Sequence, residues 1–210
     1  MRVLLTLVVL LLICSSVVQG EMLKGFGFKT GIAIANQNFD YTAPGLSLDT
    51  KNRQGFDFGG FVEWFNPPHL SVLTEAHYIQ KGMKLDVEKV TYFHPDQIGT
   101  VTYDYRVDYL SVSALVKFTL EGKLISPYLI TGPRFDFLLG NNTEGSDELY
   151  DNFKSTVFGG DIGIGAEFDI IDLGTILSEL RYSYDFSKAY KTDFLQVKNR
   201  SFQILLGFRL

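Results

Sequence analysis

The sequence has a single cysteine, few histidines and no long apolar run beyond its first twenty residues. Cys14 lies in an N-terminal segment that we predict to be removed on export, so the remaining chain has no thiol for a disulfide and depends on packing and hydrogen bonds. No later stretch approaches the roughly eighteen apolar residues of a membrane-spanning helix. With a mean hydropathy of +0.09, the composition excludes a helical membrane bundle.

Catalytic and nucleotide-binding motifs are also missing. The sequence contains no Walker-type phosphate loop, no HExxH, no GxSxG and no dinucleotide fingerprint. His69, His77 and His94 have no histidine or cysteine at ligand spacing, so we expect no metal, no cofactor and no enzymatic activity. The formal net charge of −5, without a basic cluster, argues against binding to nucleic acid.

The first twenty residues have the composition of a signal peptide. Arg2 is followed by an apolar segment over residues 3–13, and the small-residue pattern Val18-Gln19-Gly20 precedes Glu21. We predict a signal peptide over residues 1–20 and one domain over residues 21–210. An N-terminal anchor is the alternative, but the apolar run is short for a membrane span. A lipoprotein site at Cys14 is disfavoured by the bulky Ile13 before it.

The last ten residues, SFQILLGFRL, show the pattern of a membrane strand. Bulky apolar groups alternate with polar or small ones, apart from Leu205 on the polar side. The bulky positions are Phe202, Ile204, Leu206, Phe208 and Leu210. About ten residues also suffice for a tilted strand to cross a bilayer. This stretch therefore predicts the last strand of a barrel with an apolar exterior and a polar interior.

Seven earlier segments repeat this alternation, which gives eight strands in all. The connections after the second, fourth and sixth strands are short, whereas those after the first, third, fifth and seventh are long. Short periplasmic turns and long extracellular loops are typical of outer-membrane barrels. We therefore predict an all-β fold, an eight-stranded antiparallel transmembrane β-barrel with up-and-down meander topology. Alternation within residues 82–102 further predicts that two strands continue above the membrane as a ribbon.

The alternation changes in two places. Near Tyr109 the outward parity shifts, which predicts a bulge or a change of environment. In the fifth strand, Gly132-Pro133 separates Tyr128 from a set of opposite parity, and we predict a bulge at that pair because proline cannot donate to the ladder. This interpretation leaves Tyr128 facing outward and Arg134 facing inward.

Several segments resemble a known family. They are GFGFKTGIAIA, LTEAHYIQKG, YLSVSALVKF with ISPYLITGPRFDFLLG, GGDIGIGAEF, SELRYSYDF and SFQILLGFRL. Together they are similar to the PorT-like outer-membrane β-barrel proteins of the Bacteroidota over nearly the whole exported chain. The resemblance implies an integral protein of the bacterial outer membrane, in contact with outer-membrane lipid and inserted by the barrel-assembly machinery.

Charged residues of both signs share the inward parity. We predict that they form an ion-pair network that fills the lumen, because an eight-stranded barrel is only wide enough for its own side chains and buried charges must be paired. The predicted network comprises Lys29, Asp57, Glu75, Lys117, Arg134, Asp161, Glu179, Arg181 and Arg209, and five further charges, Glu63, Lys81, Asp136, Glu167 and Asp185, share its face. We expect Glu75 and Glu179 to pair with bases such as Arg181, Arg134 or Lys117. A charged conduit is the alternative.

Outward aromatic residues near the strand ends predict two girdles at the membrane interfaces. They are Phe26, Trp64, Tyr78, Tyr128, Phe168, Tyr182, Tyr184 and Phe208. The sequence thus predicts a monomeric outer-membrane barrel with a structural role or a role carried by its loops. The ligand of those loops is not apparent. The alternatives are a narrow pore for ions or small solutes and a lipocalin-like secreted carrier.

Overall fold

Alternating side chains build a closed all-β structure. The computed structural model describes residues 22–41, 48–65, 69–91, 94–143, 153–170, 173–191 and 195–210, with the backbone alone described at 88–91, 94–98, 143 and 191. The predicted signal peptide and Cys14 lie outside the described residues. The strands are β1 (Leu23–Tyr41), β2 (Lys51–Trp64), β3 (Leu70–Thr91), β4 (His94–Thr119), β5 (Ser126–Thr143), β6 (Thr156–Ile170), β7 (Gly174–Asp185), β8 (Tyr190–Lys191) and β9 (Leu195–Arg209).

Eight of these strands form an antiparallel ring, which confirms the predicted fold class. Each of β1 to β7 pairs with its sequence neighbour, β7 pairs with β9, and β9 closes the ring by pairing with β1. The two-residue strand β8 pairs with β9 at Tyr190↔Val197. In the described part of the chain, no helix is long and apolar enough to cross a membrane.

The two ends of the barrel differ in their connections. Residues 65–69, 120–125 and 171–173 join strands at one end, which we call the turn end. Residues 42–50, 92–93, 144–155 and 186–194 join strands at the other, the loop end. At the loop end, β3 and β4 remain paired as far as Thr91↔His94, whereas β2 and β5 pair with them only as far as Lys84 and Tyr105. The ribbon predicted from residues 82–102 is confirmed.

Polarity is inverted relative to a soluble protein. Outward apolar side chains are exposed, for example Phe28 at 49% and Ile204 at 41%, whereas inward charged side chains such as Lys29 are buried. A soluble chain buries lysine and glutamate only rarely and covers its large apolar residues. This inversion suits a barrel surrounded by lipid.

The irregularities predicted in β4 and β5 are resolved differently. In the pairing of β4 with β5, the register shifts between Asp108, which pairs with Gly140, and Tyr109, which pairs with Leu138. The predicted bulge near Tyr109 is therefore confirmed. The bulge predicted at Gly132-Pro133 is wrong, because Ser113↔Arg134 and Val116↔Thr131 follow one register. Inward parity therefore continues without interruption from Tyr128 to Leu138. Consequently Tyr128 faces the lumen, on the same side as Arg134.

Candidate functional site

The lumen is filled by successive layers of side chains, and the first is ionic. It lies at the turn end and consists of Glu63, Lys117, Glu167 and Arg209, which we call the lower ionic layer. Lys117 Nζ lies 3.1 Å from Glu63 Oε1 and also contacts Glu167. Arg209 Nη1 lies 2.6 Å from both Glu63 Oε2 and Glu167 Oε1. Four strands, β2, β4, β6 and β9, are thereby linked across the lumen.

The next layer toward the loop end is apolar. Successive inward residues of a strand are two positions apart. Along β2, β4 and β7 one such step leads from a charged residue to an apolar one, as from Glu63 to Phe61 or from Lys117 to Leu115. The apolar layer comprises Phe61, Leu73, Leu115, Tyr128, Ile130 and Leu177, all of which are at most 4% exposed. On β6 the inward position is glycine, and a Cβ atom built on Gly165 would lie 2.2 Å from Cζ of Tyr128. The absence of a side chain there leaves room for the Tyr128 ring.

The central ionic layer is a square of two cations and two carboxylates. Lys29 Nζ lies 2.6 Å from Glu75 Oε1 and 2.7 Å from Glu179 Oε2. Arg181 Nη2 lies 2.7 Å from Glu75 Oε2 and 2.5 Å from Glu179 Oε1. The hydroxyl of Tyr128 also donates to Glu179 Oε2 at 2.9 Å. Each cation thus contacts both carboxylates, and β1, β3 and β7 are linked through side chains alone.

His77 and Asp57 lie beside this square. His77 Nδ1 is 2.6 Å from Asp57 Oδ1, and its Nε2 is 3.7 Å from Glu75 Oε2. These groups are buried in the lumen. In the part of the chain that the structure describes, no three His, Cys, Asp or Glu side chains are placed to hold a metal ion.

Arg134 organises the third, upper ionic layer. Its Nη1 lies 2.7 Å from Asp161 Oδ1, its Nη2 lies 2.5 Å from Asp185 Oδ1, and its Nε lies 3.0 Å from Asp136 Oδ1. Lys81 Nζ supplies a second cation, 2.6 Å from Asp136 Oδ2. Planar guanidinium groups suit this role because they present several donors in a fixed fork.

Above the upper ionic layer the lumen becomes apolar again. Buried side chains from five strands pack with two from the connecting segments, Phe153 and Ala189. The cluster comprises Ala33, Ile79, Met83, Tyr105, Val107, Tyr109, Phe153, Val157, Ala189 and Val197. Backbone bonds hold the connecting segments over the barrel, from Lys154 N to Ala189 O and from Ala189 N to Val197 O, each at 2.8 Å.

The structure divides the predicted network residues among three ionic layers rather than one network. All nine face the lumen, and Glu75 and Glu179 share Arg181 as expected, but their second partner is Lys29 rather than Arg134 or Lys117. Tyr128 does not belong to the girdle: it is 4% exposed and faces inward. The other predicted girdle residues lie on the outward face, and all are at least partly exposed: Phe26, Trp64, Tyr78, Phe168, Tyr182, Tyr184 and Phe208.

Sequence reasoning did not identify the apolar layer as a unit. Its signal was present, since Phe61, Leu73 and Leu115 interrupt an otherwise polar inward parity at similar distances from the turn end. Tyr128 gave no such signal, because its partners Glu179 and Gly165 are distant in sequence.

One family model and several solved structures are similar to this chain. A family model described as "Outer membrane protein beta-barrel domain" matches residues 23–191. OprG of Pseudomonas aeruginosa is similar in fold, with a TM-score of 0.53 at 13% identity over 92% of this chain and 99% of that chain. Neisserial surface protein A gives a TM-score of 0.48 at 13% identity over 88% and 97% of the two chains. Ail of Yersinia pestis gives 0.44 at 19% over 91% and 100%. No curated protein matches in sequence.

Proposed function

We propose that this chain, which belongs to the outer membrane protein β-barrel domain family, is a sealed barrel whose biological role is carried by its loop end. Family membership places the protein in the bacterial outer membrane. The proposal adds that the lumen does not conduct. It also adds that binding or adhesion occurs at the loop end, which faces the cell exterior in such barrels.

The apolar layer carries the proposal of a sealed lumen. Its members come from β2, β3, β4, β5 and β7, and it is bounded by the lower ionic layer on one side and the central square on the other. A hydrated ion would have to lose its water to pass this layer, and an isolated charge in an apolar environment is strongly disfavoured. The flanking ion pairs hold the strands against this layer. An eight-stranded barrel leaves little further space.

The ribbon of β3 and β4 supports a role at the loop end. It continues for seven residues beyond Lys84, where pairing with β2 ends, and so extends about 24 Å at strand spacing. Exposed segments held on a rigid scaffold are the usual carriers of binding function. The resemblance to PorT-like proteins belongs to this proposal as well, although it identifies no ligand.

The secreted-carrier alternative does not fit an outer-membrane protein. A lipocalin-like carrier needs an apolar interior and a polar exterior. Here the exterior carries exposed Phe28, Phe58 and Ile204, while Lys29 and Glu75 are buried inside.

Conductance measurements test the seal. The purified protein is reconstituted in planar bilayers after its folding has been verified by a change of gel mobility on boiling. We expect no steady current from the wild type or from Leu115→Met, a volume-conserving control. The double variant Leu115→Ser/Leu177→Ser should give measurable openings, because hydroxyl groups hydrate the apolar layer. Steady wild-type conductance would refute the sealed lumen and favour the narrow pore.

A shortened ribbon tests the second part of the proposal. Residues 86–102 are replaced by a two-residue Asn-Gly turn, which suits an antiparallel hairpin. We expect the shortened protein to keep its heat-modifiable gel mobility. We expect cells that carry it to lose the binding or adhesion shown by cells with the wild-type protein. An unchanged phenotype with normal surface abundance would contradict a role of the ribbon.

A further inference from the structure

One sector of the loop-end rim carries an outward aromatic cluster. The rings of Phe135 and Phe158 lie 5.1 Å apart, those of Phe158 and Phe186 lie 5.6 Å apart, and Tyr184 lies 6.2 Å from Phe186. The four residues belong to or directly follow β5, β6 and β7. They lie at the upper border of the apolar outer surface, where aromatic side chains meet the lipid headgroups.

Two cations lie on the outward face of the adjacent strand β9. Arg200 is exposed, and it pairs by register with Tyr184 of β7. Lys198 Nζ lies 5.5 Å from the centre of the Tyr184 ring. Arg200 follows the outward parity of Phe202 and lies two residues beyond it, or about 7 Å of strand. The cations therefore lie just outside the apolar band.

Unlike the two arginines Arg53 and Arg106 at the loop end, these cations have no carboxylate partner. Arg53 Nε lies 2.6 Å from Asp104 and Arg106 Nη2 lies 3.2 Å from Asp108. Across the described part of the chain, Lys198 and Arg200 have no carboxylate within 4.0 Å. By register the nearest outward acid is Asp40, which pairs with Gln196. This sector is thus left electropositive.

Two further lysines extend the positive sector. Lys154 precedes β6 and Lys188 follows β7, and the segments are joined by the bond from Lys154 N to Ala189 O. Neither lysine has an ion-pair partner in the residues that the structure describes. Both lysines therefore lie in the connecting segments on this side of the rim.

We propose that this sector binds the phosphate groups of a phosphorylated glycolipid in the outer leaflet. Arg200 donates to a phosphate oxygen in the bidentate geometry that guanidinium groups favour, while Lys198 contributes a point charge held over Tyr184. The sugar rests on the aromatic cluster, and the acyl chains lie along Phe202 and the apolar surface below it. The border position selects a lipid rather than a soluble anion, because a soluble anion gains nothing from the adjoining apolar band. Basic clusters beside a membrane surface recognise anionic lipids in the same way.

Native mass spectrometry of the detergent-solubilised barrel tests the proposal. The probes are bisphosphorylated lipid A, the same lipid without phosphates, and inorganic phosphate. Lys198→Gln/Arg200→Gln should weaken binding of the bisphosphorylated lipid roughly tenfold or more for each lost charge-assisted contact. The control Lys51→Gln/Lys84→Gln removes two charges from the rim at β2 and β3, and its affinity should stay within about twofold of the wild type.

Four results would overturn the proposal. If the wild type bound phosphorylated and dephosphorylated lipid equally well, the phosphate groups would not contribute and the lipid would be held by apolar contact alone. Equal loss in the control variant would show a general charge effect, and displacement by inorganic phosphate would indicate a free-anion site. The loop 144–152 carries four acids in its sequence, Glu144, Asp147, Glu148 and Asp151. If the lipid bound only after these four acids had been replaced by neutral residues, the acids themselves would be the partners of the cations. Heat-modifiable mobility confirms that each variant is folded.

Discussion

Replacing Lys29 by methionine tests whether the lumen is held together by its charges. Methionine keeps much of the length of the side chain but removes the ammonium group that contacts Glu75 and Glu179 at 2.6 and 2.7 Å. Arg181 would then be the only cation of the square, shared by two buried carboxylates. The variant therefore leaves one negative charge without compensation in a site from which water is excluded.

The expected loss follows from the burial of all four groups. Lys29 and its two carboxylates are at most 2% exposed, and removing one partner of a buried ion pair costs about 3–5 kcal/mol. Such a loss is a large part of the roughly 5–15 kcal/mol that stabilises a typical folded protein. The exposed Lys123, in the turn between β4 and β5, is the matched control, and Lys123→Met should leave stability unchanged.

Urea unfolding in phospholipid vesicles measures the effect, followed by the fluorescence of Trp64, the one tryptophan of the chain. The midpoint for Lys29→Met should fall while the slope with urea stays constant. In the double variant Lys29→Met/Glu179→Gln, the pair of Glu75 and Arg181 remains, so its loss should be smaller than the sum of the single losses by about 0.5–3 kcal/mol. A loss below about 1 kcal/mol for Lys29→Met, or strict additivity, would refute the interpretation of the square as a coupled network.

Three further predictions concern single contacts. Tyr128→Phe should cost about 1.5–3 kcal/mol in the same unfolding assay, because it removes a hydroxyl that donates to the carboxylate of Glu179. Gly165→Ala should cost about 1–3 kcal/mol by overpacking against the Tyr128 ring, and adding Tyr128→Leu should recover part of the loss. On the ribbon, hydrogen bonds from Lys51 and Thr102 lower the pKa of Asp86, so its carboxyl stays ionised to more acidic pH than usual. An NMR titration should show that Lys51→Ala raises this pKa toward its ordinary value, and an unchanged midpoint would contradict the pairing.

Strand number and closure could be predicted from the sequence because lipid imposes a strict pattern. The outward residues of a membrane strand are mostly apolar, so the parity of SFQILLGFRL indicates a lipid-facing side without knowledge of its neighbours. The sorting of short and long connections added the orientation. In the structure, β9 pairs with β1 and β7 over this same segment, and its apolar residues face outward.

The inward side could be predicted less completely, because its rules depend on partners across the barrel. Tyr128 and Ile130 suggest lipid contact by composition, and a proline at 133 offered an apparent reason for a change of parity. In the structure both residues face inward, since the Tyr128 ring lies over Gly165 and its hydroxyl reaches Glu179. Pro133 is accommodated on the outward face without a shift of register. A tyrosine can serve on either side of a barrel wall, and only the residues opposite it decide which.

For the arginines, the neighbouring residues in the sequence do determine whether the side chain faces the lumen or the outside. Arg181 stands between Leu180 and Tyr182, whose side chains need lipid, so the arginine must face inward, and there it contacts two carboxylates. Arg200 stands between Asn199 and Ser201, which are buried in the lumen, so it must face outward. The same side chain therefore has opposite tasks on adjacent strands. Inside, its charge is neutralised by the barrel and contributes to the seal, whereas at the rim its charge is left for a ligand. For a barrel of this width, we therefore expect a cation between two outward-facing residues to be structural. A cation between two lumen-facing residues near the loop end should be available for binding unless a carboxylate contacts it.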